Sequence, residues 1–436
     1  MWAYESVFYQ IYPLGFCGAP FENDGVLVSR ILKVKDWIPH MKELGINAIY
    51  FSPLFESDTH GYNTRDYKKL DVRLGTNEDF QDVVNELHAN GIRVVVDGVF
   101  NHVGRGFWAF QDVLTNRECS PYVSWFHRID FNGNSDFNDG LWYEGWEGHQ
   151  NMVKLNLQNE DVVQYLFDCV RFWIDEFNID GIRLDVAYSL DENFMDRLRG
   201  YTQGLKEDFF LLGEMIHGDY NRLVRDGRLH SATNYECYKG LYSSFNCMNM
   251  FEITHSVQRQ FGANGGGIYQ GKHLLSFVDN HDVVRIGSVL NNVSHLPLVY
   301  TLMMGMPGIP CIYYGSEWGI KGEKGDRDIA IRPCLEQPEW TELTDWISKL
   351  STIRKDSKAL QYGGFQSVAL TNRQCIWERR CDDERMLIAV NADEQDYTAY
   401  FNYEHCKAVD LMTGTEHTLE GNFHMPAYSA YILKVQ

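Results

Sequence analysis

Arg183 and Asp185 stand two residues apart in Gly181-Ile182-Arg183-Leu184-Asp185-Val186-Ala187. The alternation of Ile182, Leu184 and Val186 with them fits a strand with one apolar face. In extended chain, positions two apart point to the same side. A guanidinium beside a carboxylate keeps that carboxylate ionised, the state a carboxylate nucleophile needs. Alone, the fragment fits an ordinary Arg–Asp pair. Three more stretches end strand-like runs in polar residues: Asp97-Gly98-Val99-Phe100-Asn101-His102, Leu211-Leu212-Gly213-Glu214 and Phe277-Val278-Asp279-Asn280-His281-Asp282. Each by itself fits a cap or a turn. Gathered on one rim, such like charges would repel unless a site used them. Retaining glycoside cleavage uses such a set. One ionised carboxylate attacks the anomeric carbon and one protonated carboxyl supplies the leaving oxygen's proton, roughly 5–5.5 Å apart.

Gathering those residues requires a parallel α/β sheet, and the chain alternates strand-like runs with amphipathic segments for most of its length. Strands are expected at Val7–Tyr12, Ile46–Ser52, Ile92–Asp97, Ile179–Asp185, Phe209–Gly213, Ser231–Tyr235, His273–Val278 and Ile309–Tyr313. Helices are expected near Ile31–Leu44, over Glu78–Asn90 with Thr76 as N-cap, over Asp161–Phe177 and near Leu343–Lys355. Eight strands with intervening helices predict an α/β fold, a closed (β/α)8 TIM barrel whose chemistry sits at the strand C-termini. Between His102 and Lys154 the period is lost in a Gly-, Asn- and Trp-rich segment too long for a loop, hence an inserted subdomain after strand three. Short strands at Ser367–Leu370, Gln374–Trp377, Met386–Val390 and Ala430–Leu433 predict a C-terminal β-sandwich. The expected domains are a barrel of residues 1–101 and 156–357, an insertion of 102–155 and a sandwich of 358–436.

A net charge of −21 argues against nucleic acid and anionic membranes as partners, and leaves neutral ligands open. Ten cysteines without a C-x-x-C pair suggest reduced thiols and neither a disulfide scaffold nor a zinc site. There is no apolar run of membrane-spanning length. The N-terminus lacks a basic leader and an apolar signal core, so a cytoplasmic location is expected. Aromatic residues make up 14%, enough to supply stacking platforms for sugars as well as core.

The four polar stretches resemble the signature regions of the α-amylase family, glycoside hydrolase family 13, in order and in strand position. The resemblance spans nearly the whole chain and implies a retaining hydrolase of α-glucosidic bonds, mainly α-1,4, in α-glucan oligosaccharides. It implies Asp185 as nucleophile, Glu214 as general acid/base and Asp282 as the third carboxylate supporting the distorted sugar. By the same resemblance Arg183 holds the nucleophile, and His102 and His281 bond hydroxyls of the sugar at the cleavage site. Tyr62, in His60-Gly61-Tyr62, matches the stacking tyrosine, with His60 a polar contact. Gly308 to Gly315 matches the eighth-strand region, an architectural role. Asp97 and Asn101 are expected to hold the third-strand loop. Lys239, Arg285 and Arg332 either line the rim or form salt bridges.

Met152-Val153-Lys154-Leu155-Asn156 is similar to the fifth signature region of the neopullulanase, cyclomaltodextrinase and maltogenic amylase branch, as are Phe110 to Leu114 and Trp125 to His127. That likeness implies maltooligosaccharides and cyclodextrins as substrates. Trp142, Tyr143 and Trp146 form either an exposed stacking surface or a packed cluster. The chain begins near its first strand without the N-terminal module through which many branch members dimerise, so oligomeric state is left open. Tyr188-Ser189 and Met215-Ile216-His217 depart from the branch's usual acceptor-side residues, which leaves transglycosylation, or a sucrose- or trehalose-acting isomerase, as the rival enzyme reading. A non-catalytic carbohydrate-binding protein is the second rival, opposed by the intact set of Asp185, Glu214 and Asp282. No cofactor and no metal site are expected. Asn101 matches a common calcium ligand of the family, but Gly18 to Val26 offers only Glu22, Asn23 and Asp24.

Overall fold

Eight short parallel strands form the centre of the computed structural model, which describes residues 1–263 and 266–436. They are β1 (Phe8–Ile11), β2 (Ala48–Phe51), β3 (Arg93–Gly98), β4 (Gly181–Leu184), β5 (Phe210–Gly213), β6 (Ser231–Ala232), β7 (Leu275–Ser276) and β8 (Ile309–Tyr313). Neighbours in sequence pair in parallel from β1 to β6, and β8 pairs with both β7 and β1. A bridge between Thr233 and Leu275, with the Asn234 N–H donating to Leu275 O at 2.8 Å, completes the ring between β6 and β7. These strands are buried on both faces, as a barrel wrapped in helices requires. Phe8, Tyr50, Val95, Phe210 and Leu212 pack among the residues of the barrel interior.

The surrounding helices follow their local signals. The helix α1 covers Lys33–Glu43, α2 Asn77–Ala89, α3 Glu160–Phe177, α4 Glu192–Leu205, α5 Tyr235–Asn246, α6 Phe251–Phe261, α7 Leu296–Gly305 and α8 Glu342–Asp356. Thr76 caps α2 in a capping box with Asp79. The Asn159 side chain accepts the Asp161 and Val162 N–H groups at the start of α3, and Asn178 ends that helix in the left-handed region (φ 53°). On the buried face of α3, Trp173 stacks on Phe55 at 4.4 Å between ring centroids and donates to Tyr67 O.

Residues after β3 fold into a three-stranded antiparallel sheet (His102–Gly104, Gly145–Trp146, His149–Lys154) and a helix, Trp108–Asn116. His102 pairs with Lys154, so this sheet fixes the segment leaving β3. The C-terminal domain holds β9 (Gly364–Leu370), β10 (Gln374–Cys381), β11 (Glu384–Asn391), β12 (Tyr397–Tyr400), β13 (Cys406–Asp410), β14 (Glu416–Leu419), β15 (Asn422–Met425) and β16 (Ser429–Val435). Six of these form a sheet in the order β9-β10-β11-β16-β13-β14, and β12 pairs with β15. Leu387, Leu433, Phe423 and Met425 share the core between them. Trp377 donates to Thr254 of α6 at 3.0 Å and Arg379 to Gly305 of α7 at 2.8 Å, which seats this domain on the barrel.

Three expectations change. The sixth strand ends at Ala232 because the Asn234 side chain caps α5 and makes Tyr235 its first residue. The seventh shortens to Leu275–Ser276. Arg285 is wholly buried beneath the rim, donating to Tyr314 O and Ser316 Oγ and lying over the Tyr313 ring, because the turn after Asp282 runs back into the protein. No helix among the described residues is long and apolar enough to cross a membrane.

Asp180, at the foot of β4, joins β3 to two helices. Its carboxylate accepts His88 of α2 at 2.7 Å, Lys206 after α4 at 2.9 Å, and the Val94 N–H at 2.8 Å. Burial pushes this carboxyl up, but those bonds outweigh it and hold the group below the ordinary range. A depressed carboxyl adds stability above its unfolded value, about 3.9, and loses it as pH falls further. Asp180→Ala is therefore expected to cost about 3–5 kcal/mol at pH 7 and to make the acid-side fall in Tm shallower, as read by thermal unfolding from pH 3 to 7.

Candidate active site

Register brings the reactive residues to one level. Gly98 of β3 pairs with Leu184 of β4, and Leu184 with Gly213 of β5. Asp185 and Glu214 are the next residues, and their N–H groups continue the ladder to Gly98 O and Leu184 O. Val186 then turns into the left-handed region (φ 41°), a rare conformation for a β-branched residue. The turn aims the Val186 N–H at Glu214 Oε2, at 2.8 Å.

Arg183 ties the set together. Its Nη1 lies 2.9 Å from Asp185 Oδ1 and 2.9 Å from Asp97 Oδ2, while Nη2 lies 3.0 Å from Glu214 Oε1. Tyr50 donates to Asp97 from the far side at 3.2 Å. All four ionisable side chains are buried. Burial raises Asp97, Asp185 and Glu214 to about 7 each, and Arg183 opposes the rise in all three. One cation cannot neutralise three carboxylates, so the set titrates together and retains a proton near neutral pH. The expected loop-holding role of Asp97 is thus incomplete: it also fixes the guanidinium from below.

Asp282 lies across the mouth. Arg332 Nη2 contacts Oδ1 at 3.0 Å and His281 Nε2 contacts Oδ2 at 3.1 Å. Burial pushes the Asp282 carboxyl up, but the pull of His281, Arg332 and Arg183 holds it below the ordinary range. His281 is itself lowered to about 3 by burial, so with that ring neutral the guanidinium of Arg332 is the lasting source. Gln10 donates to His281 Nδ1 at 2.7 Å, which puts the ring proton on Nε2, facing Asp282 and the Tyr62 hydroxyl. Tyr12 and Tyr62 stack on His281, with centroids 6.1 and 5.8 Å away.

The Asn101 amide donates to His102 Nδ1 at 3.1 Å, so Nε2–H is the free donor, 3.9 Å from Asp185 Oδ2. Burial lowers His102 to about 3 and it stays neutral. Among the described residues His102 Nε2 and Trp146 Nε1 are both buried without a hydrogen-bond partner, and their rings lie 5.7 Å apart. His60 sits on the wall beyond Tyr12, whose hydroxyl donates to its carbonyl at 2.7 Å, and is lowered to about 4 by burial. The mouth thus presents neutral ring donors around charged carboxylates, which suits a neutral, hydroxyl-rich ligand.

Asp185, Glu214, Asp282, Arg183, His102, His281, Tyr62 and His60 are gathered in this one mouth. Gln10 was missed, since one polar residue in an apolar strand gives no periodic signal. Arg332 proves to be a salt-bridged residue inside the site, and Lys239 lies on the outer helices, 4.0 Å from Glu252. The aromatic trio splits: Tyr143 is buried, Trp142 is exposed and Trp146 reaches the mouth. Asn23 and Asp24 accept the turn N–H groups of Gly25 and Val26, and the Asn101 amide nitrogen donates to His102.

The family described as "Alpha amylase, catalytic domain" matches residues 10–403. A cyclomaltodextrinase of Thermoanaerobacter pseudethanolicus is 29% identical over 99% of this chain and 78% of its own length. A maltogenic alpha-amylase of Bacillus acidopullulyticus is 31% identical over 89% of this chain and 69% of its own. The ligand-free structure of a cyclic alpha-maltosyl-(1→6)-maltose hydrolase from Arthrobacter globiformis superposes with a TM-score of 0.84 at 27% identity, covering 100% of both chains.

Arg183→Met should expose the charge balance. Without the cation the three carboxyls rise further above their unfolded values, and a raised carboxyl costs stability as pH climbs from about 4 through its folded value. The variant is expected to lose about 3–5 kcal/mol at pH 8 and clearly less at pH 5, read as the difference in Tm from the parent at each pH.

Proposed function

The chain belongs to the α-amylase family and is a glycoside hydrolase, and from that premise we propose that Asp185, Glu214 and Asp282 carry out retaining cleavage of α-glucosidic bonds, mainly α-1,4, in maltooligosaccharides and cyclodextrins. One observation supports this most: a single buried guanidinium holds Asp185 and Glu214 together at the barrel mouth. Sharing one fork favours the short separation of about 5–5.5 Å used for direct attack over the wider spacing that leaves room for a water.

In this reading Asp185 attacks the anomeric carbon as Glu214, raised above the ordinary carboxyl range by burial, gives its proton to the leaving oxygen. The glycosyl–aspartate ester forms as the glycosidic bond breaks. Water, losing its proton to Glu214, then cleaves the ester and restores Asp185. Arg183 orients the nucleophile. Asp282, kept ionised, supports the positive charge that builds on the sugar ring in the transition state. His102 offers a free Nε2–H to a sugar hydroxyl, His281 reaches one by exchanging its contact with Asp282 or the Tyr62 hydroxyl, Trp146 offers its indole N–H, and Tyr62 offers a ring face. Side chains and water suffice for both steps, so the reaction calls for no cofactor. The relatives named as cyclomaltodextrinase and maltogenic amylase support the substrate class. Ten free cysteines support a reducing compartment, the cytoplasm.

Glu214→Gln is expected to lower kcat/KM, which reports formation of the glycosyl-enzyme, by about 10²–10⁴-fold on maltotriose and far less on α-glucosyl fluoride, whose leaving group needs no proton. Asp185→Asn should lose both activities. The parent enzyme's first-formed sugar should be the α-anomer by ¹H NMR. A β-anomer, or equal loss on both substrates in Glu214→Gln, refutes the assignment. Longer sugars as the main product from maltotriose would make the enzyme a transferase.

A further inference from the structure

Asp97 does more than hold the guanidinium of Arg183. Its Oδ2 also accepts the Tyr50 hydroxyl at 3.2 Å and, more loosely, the Tyr62 hydroxyl at 3.5 Å. From these two tyrosines, two arms of hydrogen bonds lead to the two nitrogens of one ring, His281. The short arm is direct, because the Tyr62 oxygen contacts His281 Nε2. The long arm crosses from β2 to β1. Ser52 follows Tyr50 by two residues, so both side chains point to one side, and its hydroxyl bonds the Tyr50 hydroxyl. Gln10 of β1 pairs in register with Tyr50. Its Nε2 lies 3.2 Å from Ser52 Oγ and 2.7 Å from His281 Nδ1.

The direction of each bond follows from Asp97, since a carboxylate ion accepts and cannot donate. Tyr50 and Tyr62 spend their protons on it, which leaves their oxygens to accept. On the short arm, the Tyr62 oxygen takes the Nε2–H of His281. On the long arm, the Tyr50 oxygen takes the Ser52 proton and the Ser52 oxygen takes one N–H of Gln10. The other N–H of that amide points at Nδ1. Both arms require the same ring, bare at Nδ1 and protonated at Nε2. Gln10, Ser52, Tyr50, Asp97 and His281 are all buried, where one reversed hydroxyl would set two donors face to face. Asp282, 3.1 Å from Nε2, also draws the proton to that side, and its charge favours a second proton on Nδ1. Burial and the charges of Arg332, Arg183 and Lys324 oppose that second proton, and Tyr12 and Tyr62 stack on the ring as neutral faces. The Gln10 N–H blocks it at the atom concerned.

We propose that Asp97, through Tyr50, Ser52 and Gln10 on one arm and Tyr62 on the other, holds His281 as a neutral Nε2–H donor and so preserves the charge of Asp282. Asp97 and Gln10 are then positioning residues for a group on the far side of the mouth. The catalytic consequence rests on the proposed hydrolysis: an imidazolium beside Asp282 would offset the negative charge that the transition state uses.

¹⁵N NMR of the full-length enzyme labelled at histidine reads the ring directly, with His281 identified by the signals lost in His281→Gln. In the parent, Nδ1 should be unprotonated and Nε2 protonated at pH 6, 7 and 8. Gln10→Glu keeps the side-chain length and replaces the donor with an acceptor. Its His281 should carry a proton on Nδ1 at pH 7, and its kcat/KM on maltotriose should fall by about tenfold or more. Lost packing alone would lower kcat/KM and leave Nδ1 bare. A protonated Nδ1 in the parent, or a bare Nδ1 in Gln10→Glu at pH 7, overturns the proposal. A protonated Nδ1 in Gln10→Glu with unchanged kcat/KM overturns the protection of Asp282. Failure of the parent to turn over maltotriose, with the ring as expected, refutes the hydrolase reading and leaves the ring assignment standing.

Discussion

A single positive charge must serve three buried carboxylates. Arg183 stands among Asp97, Asp185 and Glu214 at the end of β4, and each contact lies between 2.9 and 3.0 Å. Taking such groups out of water is costly unless they are paired and hydrogen-bonded. One cation leaves the pairing incomplete, and the remaining stress is relieved by holding a proton. A general acid needs that condition at neutral pH. The protonation state that the proposed reaction requires therefore follows from a shortage of countercharge, with Tyr50 and the Val186 N–H supplying neutral donors.

The shortage works only if the groups cannot move apart. Parallel registration of β3, β4 and β5 puts Asp185 and Glu214 in adjacent positions on the wall, and Asp97 one layer below. Val186, strained into the left-handed region, turns the chain at once and points its amide back at Glu214. The inserted sheet clamps His102 against Lys154 so that its free Nε2 reaches the same space. Far below, Asp180 ties α2 and the segment after α4 to the foot of β4, so the strand bearing Arg183 is anchored at both ends.

Strand placement was legible because buried parallel strands read as short apolar runs between amphipathic helices, one of them with a clear cap at Thr76. Polar residues at the ends of those runs marked the site, and Asp185, Glu214 and Asp282 were visible for that reason. The weak places have physical causes. The sixth and seventh strands are short, and the ring closes there through the Thr233–Leu275 bridge, so little pattern exists to read. Residues whose role depends on partners far along the chain stayed hidden: Gln10 bonds His281 across 271 positions, and Arg332 bonds Asp282 across 50. Arg285 reads from the sequence as a rim or salt-bridged residue, because no periodicity reveals that its turn folds back into the core.

Asp185 and Glu214 are raised by the same burial and held by the same arginine, yet the proposed reaction gives them different tasks. Their mutual repulsion separates those tasks in time. While Asp185 is charged, its field raises Glu214 and favours the protonated acid. When Asp185 becomes an ester its charge is gone, and the repulsion ends. Glu214 then keeps the pull of Arg183 without the opposing field of Asp185, and its carboxyl falls toward the ionised form. A group that acted as acid in the first step becomes a base for the attacking water in the second, as microscopic reversibility demands. The change needs no movement of either side chain; it follows from two carboxyls close enough to feel one another's charge around one guanidinium.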